Sequence, residues 1–96
     1  MIQPSYRFRL PDHVADSVRH MHPHLKKKIR AGLNMIVLDP SAGKALRWEL
    51  SGLRSFRAGR LRIVYRVIEA TEIEIIATGP RAHIYEETLR LISGEA

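Results

Sequence analysis

Between Lys44 and Arg66 the chain carries Lys44, Arg47, Arg54, Arg57, Arg60, Arg62 and Arg66, seven cations against the single carboxylate of Glu49. Six of the seven are arginine. Arginine stays charged at any working pH and presents a planar fork of donors that fits two phosphate oxygens at once. The stretch therefore points to phosphate contacts. A later segment, Arg81-Ala82-His83-Ile84-Tyr85, sets a cation, an imidazole and a phenol close together. An imidazole titrates near neutrality, and both ring types can take part in proton transfer.

The whole chain has 96 residues and a net charge of +6. Such a field draws polyanions: nucleic acid, an anionic membrane surface or an acidic protein. Charge alone does not choose among them. Lys26-Lys27-Lys28 with Arg30 falls in a predicted helix and reads as a solvated face. His20-Met21-His22-Pro23-His24, with His13 nearby, crosses a helix break and lacks a local carboxylate or thiolate, so neither metal nor other cofactor is expected. Disulfides are excluded by the absence of cysteine. No Gly-rich phosphate loop or acyl-transfer triad is visible. Met1-Ile2-Gln3-Pro4-Ser5 does not open a secretory signal, and no apolar run approaches the roughly 20 residues of a bilayer span. A soluble cytoplasmic protein, away from membranes, is the expectation.

Those residues need a scaffold. The length allows one domain, residues 1–96. Tyr6 to Leu10 alternates as a half-buried strand. Asp12 is a candidate N-cap for a helix carrying Val14, Val18 and Met21. Pro23 suits the first turn of a second helix, with Leu25, Ile29, Leu33, Ile36 and Val37 on its stripe. Asp39-Pro40 ends this helical hairpin. Residues 39–52 read mostly as loop, with Trp48 as a packing anchor. Leu53–Ala58, Leu61–Ile68 and Glu72–Thr78 read as consecutive antiparallel strands, and Gly79-Pro80 breaks the last. In the middle strand Leu61, Ile63, Tyr65 and Val67 share one face, with Tyr65 in the core. Arg62, Val64 and Arg66 share the other. A final helix from Ile84 to Ile92 presents Tyr85, Leu89 and Ile92 on one side. The fold class is α+β: an N-terminal strand and a helical hairpin on a curved antiparallel sheet of about four strands, plus a short C-terminal helix. Ser55 and Arg57 should share the face of Arg62 and Arg66.

Two stretches carry a family resemblance. The first is Leu50-Ser51-Gly52-Leu53-Arg54-Ser55-Phe56-Arg57-Ala58-Gly59-Arg60-Leu61-Arg62-Ile63-Val64-Tyr65-Arg66-Val67, and the second is Thr78-Gly79-Pro80-Arg81-Ala82-His83-Ile84-Tyr85. In order and length the chain resembles the RelE/ParE toxin superfamily of toxin–antitoxin systems. The resemblance implies a toxin held inactive by an antitoxin wrapped around it, and is compatible with a toxin–antitoxin hetero-oligomer. Its RelE branch implies an endoribonuclease, an mRNA interferase that cuts mRNA in the ribosomal A site and so inhibits translation. Its ParE branch implies instead a non-enzymatic inhibitor of DNA gyrase. An inactive nucleic-acid- or antitoxin-binding module is a further alternative.

For an RNase of this type the substrate supplies its own nucleophile, the ribose 2′-OH, so no metal is needed. By resemblance Arg62, Arg81, His83 and Tyr85 form the catalytic set. Arg57 joins them in holding phosphate, and Arg54, Arg66 and Lys44 extend RNA binding. Arg66 has a structural alternative, an ion pair with Glu72 or Glu74. Arg60 reads as a solvated turn residue, and Glu49 is an alternative base. One departure stands out: RelE-type enzymes often carry a second basic residue two positions before the Arg57 equivalent, where this chain has Ser55.

Overall fold

The computed structural model describes residues 6–69 and 71–94. Residues 1–5, on which the signal reading rests, and Ala70 of the turn after Ile68 lie outside the described residues. The elements are β1 (Arg7–Arg9), α1 (Asp12–Arg19), α2 (Pro23–Leu38), β2 (Lys44–Ala45), a 3-10 turn (Trp48–Leu50), β3 (Arg54–Ala58), β4 (Leu61–Ile68), β5 (Glu72–Pro80) and α3 (Arg81–Ile92).

The strands form one five-stranded sheet in the order β1-β5-β4-β3-β2. β1 runs parallel to β5, and the other pairings are antiparallel. The sheet is thus mixed and one strand larger than the sequence suggested. β2 escaped notice because two residues carry no periodicity; it is defined by pairing, Lys44 with Ser55 and Ala45 with Arg54.

All three α-helices start at proline, and for α3 the cap is Pro80. Pro11 caps α1, displacing Asp12 from the expected cap into the first turn, where a carboxylate still favours the positive helix end. Pro23 opens α2, and the ring of its cap, His22, accepts from the His24 amide at 3.1 Å. Val14, Ile29 and Ile36 pack on Ile63, Tyr65, Ile73 and Ile75. Gly32 lets α2 approach closely: a Cβ there would lie 2.9 Å from Ile63 Cδ1 and 3.3 Å from Ala58 Cβ.

The opposite face, the one expected to carry Ser55, Arg57, Arg62 and Arg66, is also covered in part. Leu53, Val64, Ile76 and Ala77 form a second apolar patch, and Ile84 of α3 seals it. A register shift between Val64 and Tyr65 creates this patch, since Val64 pairs with Ala77 and Tyr65 with Ile75. Ile76 is the extra residue, so it and Ala77 both contribute to the α3 side. The inward side of α3 is Ile84 and Thr88, whereas Leu89 and Ile92, expected on one side with Tyr85, are exposed. Among the described residues no helix is long and apolar enough to cross a membrane.

Candidate functional site

Beside the α3 patch the sheet opens into a groove of about 670 Å³, lined by Lys44, Ala45, Leu46, Arg47, Trp48, Leu50, Arg62, Arg81 and Tyr85. Three elements supply its polar groups. Arg62 comes from β4. Arg81 and Tyr85 come from α3, and a spacing of four sets them on one helix face. Lys44 to Leu50 forms the remaining wall. Four cations converge, and no carboxylate is among the lining residues.

That wall is pinned from behind. Tyr65 is fully buried. Its hydroxyl donates to the Pro40 carbonyl at 2.7 Å and accepts from the Gly43 amide at 2.9 Å. Burial pushes the Tyr65 phenol above its ordinary pKa, so it remains the protonated donor this contact needs. Arg54 Nη1 donates to the Gly43 carbonyl at 2.8 Å and the Ser41 carbonyl at 3.2 Å. At the start of the segment Ser41 Oγ and its amide donate to Asp39 Oδ1 at 2.6 and 3.1 Å. These bonds to the carboxylate hold the Asp39 pKa below its usual range.

The sequence-selected residues separate accordingly. Arg62, Arg81, Tyr85 and Lys44 come together in the groove. Arg57 is the direct cross-strand partner of Arg62, as the shared-face expectation required, but is not itself among the groove's lining residues. Ser55, two residues before it, is buried, and its hydroxyl lies 3.2 Å from the Tyr85 hydroxyl. The uncharged residue at that position thus braces Tyr85. His83 is exposed and does not line the groove. It is two residues from both Arg81 and Tyr85, and such a spacing turns it off their helix face.

Arg54 and Arg66 do not join the groove. Arg54 is engaged by the two carbonyls behind the wall. Arg66 Nε lies 2.6 Å from Glu74 Oε1, the structural alternative weighed for it. His13 Nε2 lies 2.8 Å from the carbonyl oxygen of Ile76, the extra residue of β5. Glu49 is exposed and outside the lining.

Trp48 overturns its expected packing role, being 82% exposed at the groove. Its φ of +54° lies in the left-handed region, uncommon for a bulky side chain and worth of order 1–3 kcal/mol of strain. The signal in the sequence was a lone tryptophan beside Arg47 in an aperiodic segment. Its exposure follows from backbone geometry that pattern does not encode.

Residues 7–85 match the family described as the ParE toxin of type II toxin–antitoxin systems. The chain belongs to this family, within the RelE/ParE superfamily, and is a toxin of a toxin–antitoxin system. Among solved structures it is similar to the RelBE2 toxin–antitoxin complex of Mycobacterium tuberculosis, at 25% identity and TM-score 0.70, covering 80% of this chain and 99% of that one. It is similar to a free E. coli RelE variant with two arginines replaced by alanine, at 20% identity and TM-score 0.71, covering 92% and 98%. The E. coli protein YafQ shares the fold at 17% identity and TM-score 0.57, covering 84% and 99%. A sequence comparison with curated proteins finds no match.

Proposed function

We propose that this toxin is a metal-independent endoribonuclease that cleaves mRNA on the ribosome. The observation that carries the reading is the groove itself: Lys44, Arg47, Arg62 and Arg81 converge around Tyr85, beside an exposed tryptophan and without a lining carboxylate. Cations neutralise a phosphate backbone, and an exposed aromatic stacks on an unpaired base. In the reaction the ribose 2′-oxygen bonds to the adjacent phosphorus and the bond from phosphorus to the 5′-oxygen breaks. The products are a 2′,3′-cyclic phosphate and a 5′-hydroxyl. Arg62, with Arg57 opposite it on β3, holds the phosphate, and Arg81 meets the charge that grows on it in the transition state. A proton leaves the 2′-OH and one reaches the 5′-oxygen. Tyr85 is the proton-exchanging group we assign to this step, because it lines the groove with both arginines and is braced by Ser55. His83, turned away, is dispensable on this reading.

The test is primer extension on a defined mRNA with and without programmed ribosomes. Cuts within the A-site codon that need ribosomes support the proposal. An intact message in both conditions, from folded protein, overturns it. A second reading, gyrase inhibition without chemistry, is favoured by Ser55, where a neutral buried residue replaces the second cation of RelE-type sites. Loss of gyrase supercoiling activity together with an intact message would select it.

A further inference from the structure

A second cleft, of about 510 Å³, lies at the β3–β4 turn and is lined by His24, Leu25, Lys28, Arg57, Gly59 and Arg60. Its cations come from α2 and from the hairpin, and two of them are held at the same glycine. Gly59 has φ +64°, and a Cβ there would lie 3.4 Å from Lys28 Cδ and 3.5 Å from Cγ, so the aliphatic stem of Lys28 lies along the turn. Arg57 Nε donates to the Gly59 carbonyl at 3.3 Å. The ion pairs among the described residues involve Arg9, Arg19 and Arg66, and Lys28, Arg57 and Arg60 have none. Bringing three like charges to one turn raises the energy of the free protein. An anion seated among them removes that cost.

We propose that this cleft is a second phosphate subsite, holding the backbone of the same RNA strand beyond the cleavage groove through Lys28, Arg57 and Arg60. The inference rests on the groove being an RNA site. Continuity favours a nucleic acid over a protein. Arg57 lines the cleft and pairs across strands with Arg62, which lines the groove, so cations run unbroken from one to the other. Leu25 is the one apolar side chain in the cleft lining, whereas a peptide partner is anchored mainly by apolar and aromatic residues. A phosphodiester backbone needs only charge and donors. The cluster at Lys26–Lys28 and the turn residue Arg60, both read from sequence as solvated surface, thereby contribute Lys28 and Arg60 to the substrate path.

The experiment measures fluorescence anisotropy of 2′-O-methyl RNA, which lacks the nucleophile and is not cut. A short oligonucleotide fills the groove alone and a longer one reaches the turn. The double variant Lys28→Ala/Arg60→Ala changes two exposed side chains. For the longer RNA it should lower the slope of log affinity against log salt by about 1.4, at roughly 0.7 for each single-strand phosphate that is no longer neutralised. Binding of the short RNA should be unchanged. An unaltered slope for the longer RNA, while Arg62→Ala lowers it, overturns the inference. An aspartate-rich peptide whose binding depends on Lys28 and Arg60, with no such dependence for RNA, also overturns it. Ribosome-dependent cleavage is scored separately. Cleavage with an unaltered slope refutes the subsite alone. A reduced slope without cleavage refutes the RNase reading and leaves the subsite standing.

Discussion

Arg62→Gln should make the free protein more stable while it removes cleavage. Arg57 and Arg62 are direct cross-strand partners, and neither has a carboxylate partner among the described residues. Like charges facing each other across a strand pair cost about 0.2–1 kcal/mol. Glutamine keeps part of the side-chain stem and deletes the charge, so unfolding free energy should rise by about that amount. For a domain of this size that is roughly 1–8 °C in Tm. The gain should shrink at about 1 M salt, where the Debye length falls to about 3 Å. Arg62 holds the phosphate on which Arg81 meets the growing charge, so its loss should cost up to about 10²–10³ in rate, the range for one preorganised donor at a developing oxyanion. Thermal melts at low and high salt, paired with single-turnover cleavage on programmed ribosomes, measure both. Arg66→Gln is the control. It breaks the contact with Glu74, so stability should stay level or drop by up to about 1 kcal/mol, and cleavage should persist. A destabilised Arg62→Gln that still cuts at the wild-type rate would refute the reasoning, because Arg62 would then be a structural residue.

Other expectations follow from the same geometry. Tyr85→Phe should lower the cleavage rate by about 10²–10⁴-fold, the usual range for positioned proton transfer, and His83→Ala should leave it unchanged; single-turnover rates compare them, and the reverse order would move the proton to His83. Trp48 is the sole tryptophan, so its fluorescence reports directly on the groove. Single-stranded RNA should quench it, and Trp48→Ala should weaken RNA binding by about 1–3 kcal/mol in the same titration. Tyr65→Phe strands the buried Gly43 amide and should cost roughly 1–3 kcal/mol, read by urea denaturation as a lower midpoint at unchanged slope.

The sequence was most legible where periodicity is long. β4 runs from Leu61 to Ile68 as alternation requires, and α2 begins at Pro23 and ends at Leu38 where the proline signals place its ends. The pairing of Arg57 with Arg62 also follows from strand period and a two-residue turn, given Gly59 and Arg60 between the strands. Features that depend on other elements were not legible. The parallel edge strand β1 requires knowing which edge of β5 is free. The extra residue Ile76 lies in a short apolar run, Ile75 to Ala77, in which alternation does not mark which residue is the additional one. That one residue creates the patch on which Ile84 sits, and so carries α3 onto the arginine face. Motif position grouped His83 with Arg81 and Tyr85, but helix geometry separates it from them.

Register also explains how one sheet puts arginine to two uses. At one end Glu72 and Glu74 of β5 pair with Arg7 and Arg9 of β1, and with Ile68 and Arg66 of β4. There Arg9 lies 2.7 Å from Glu72, and Glu74 is held between Arg9 and Arg66. Charges of opposite sign meet, and the pairing favours this register over its neighbours. At the other end β4 places Leu61 and Arg62 against Pro80 and Gly79, and β3 places Arg57 against Arg62. A glycine opposite Arg62 offers no carboxylate, and the next residue after Pro80 is another arginine. A sheet arranged for stability alone would set an acid at Arg57 or Arg62. The absence of one leaves neutralisation to whatever binds, so the groove and the turn cleft gain affinity from a cost already present in the free fold. Polyanion binding should then stabilise this end of the molecule most, because the repulsion it relieves is concentrated there.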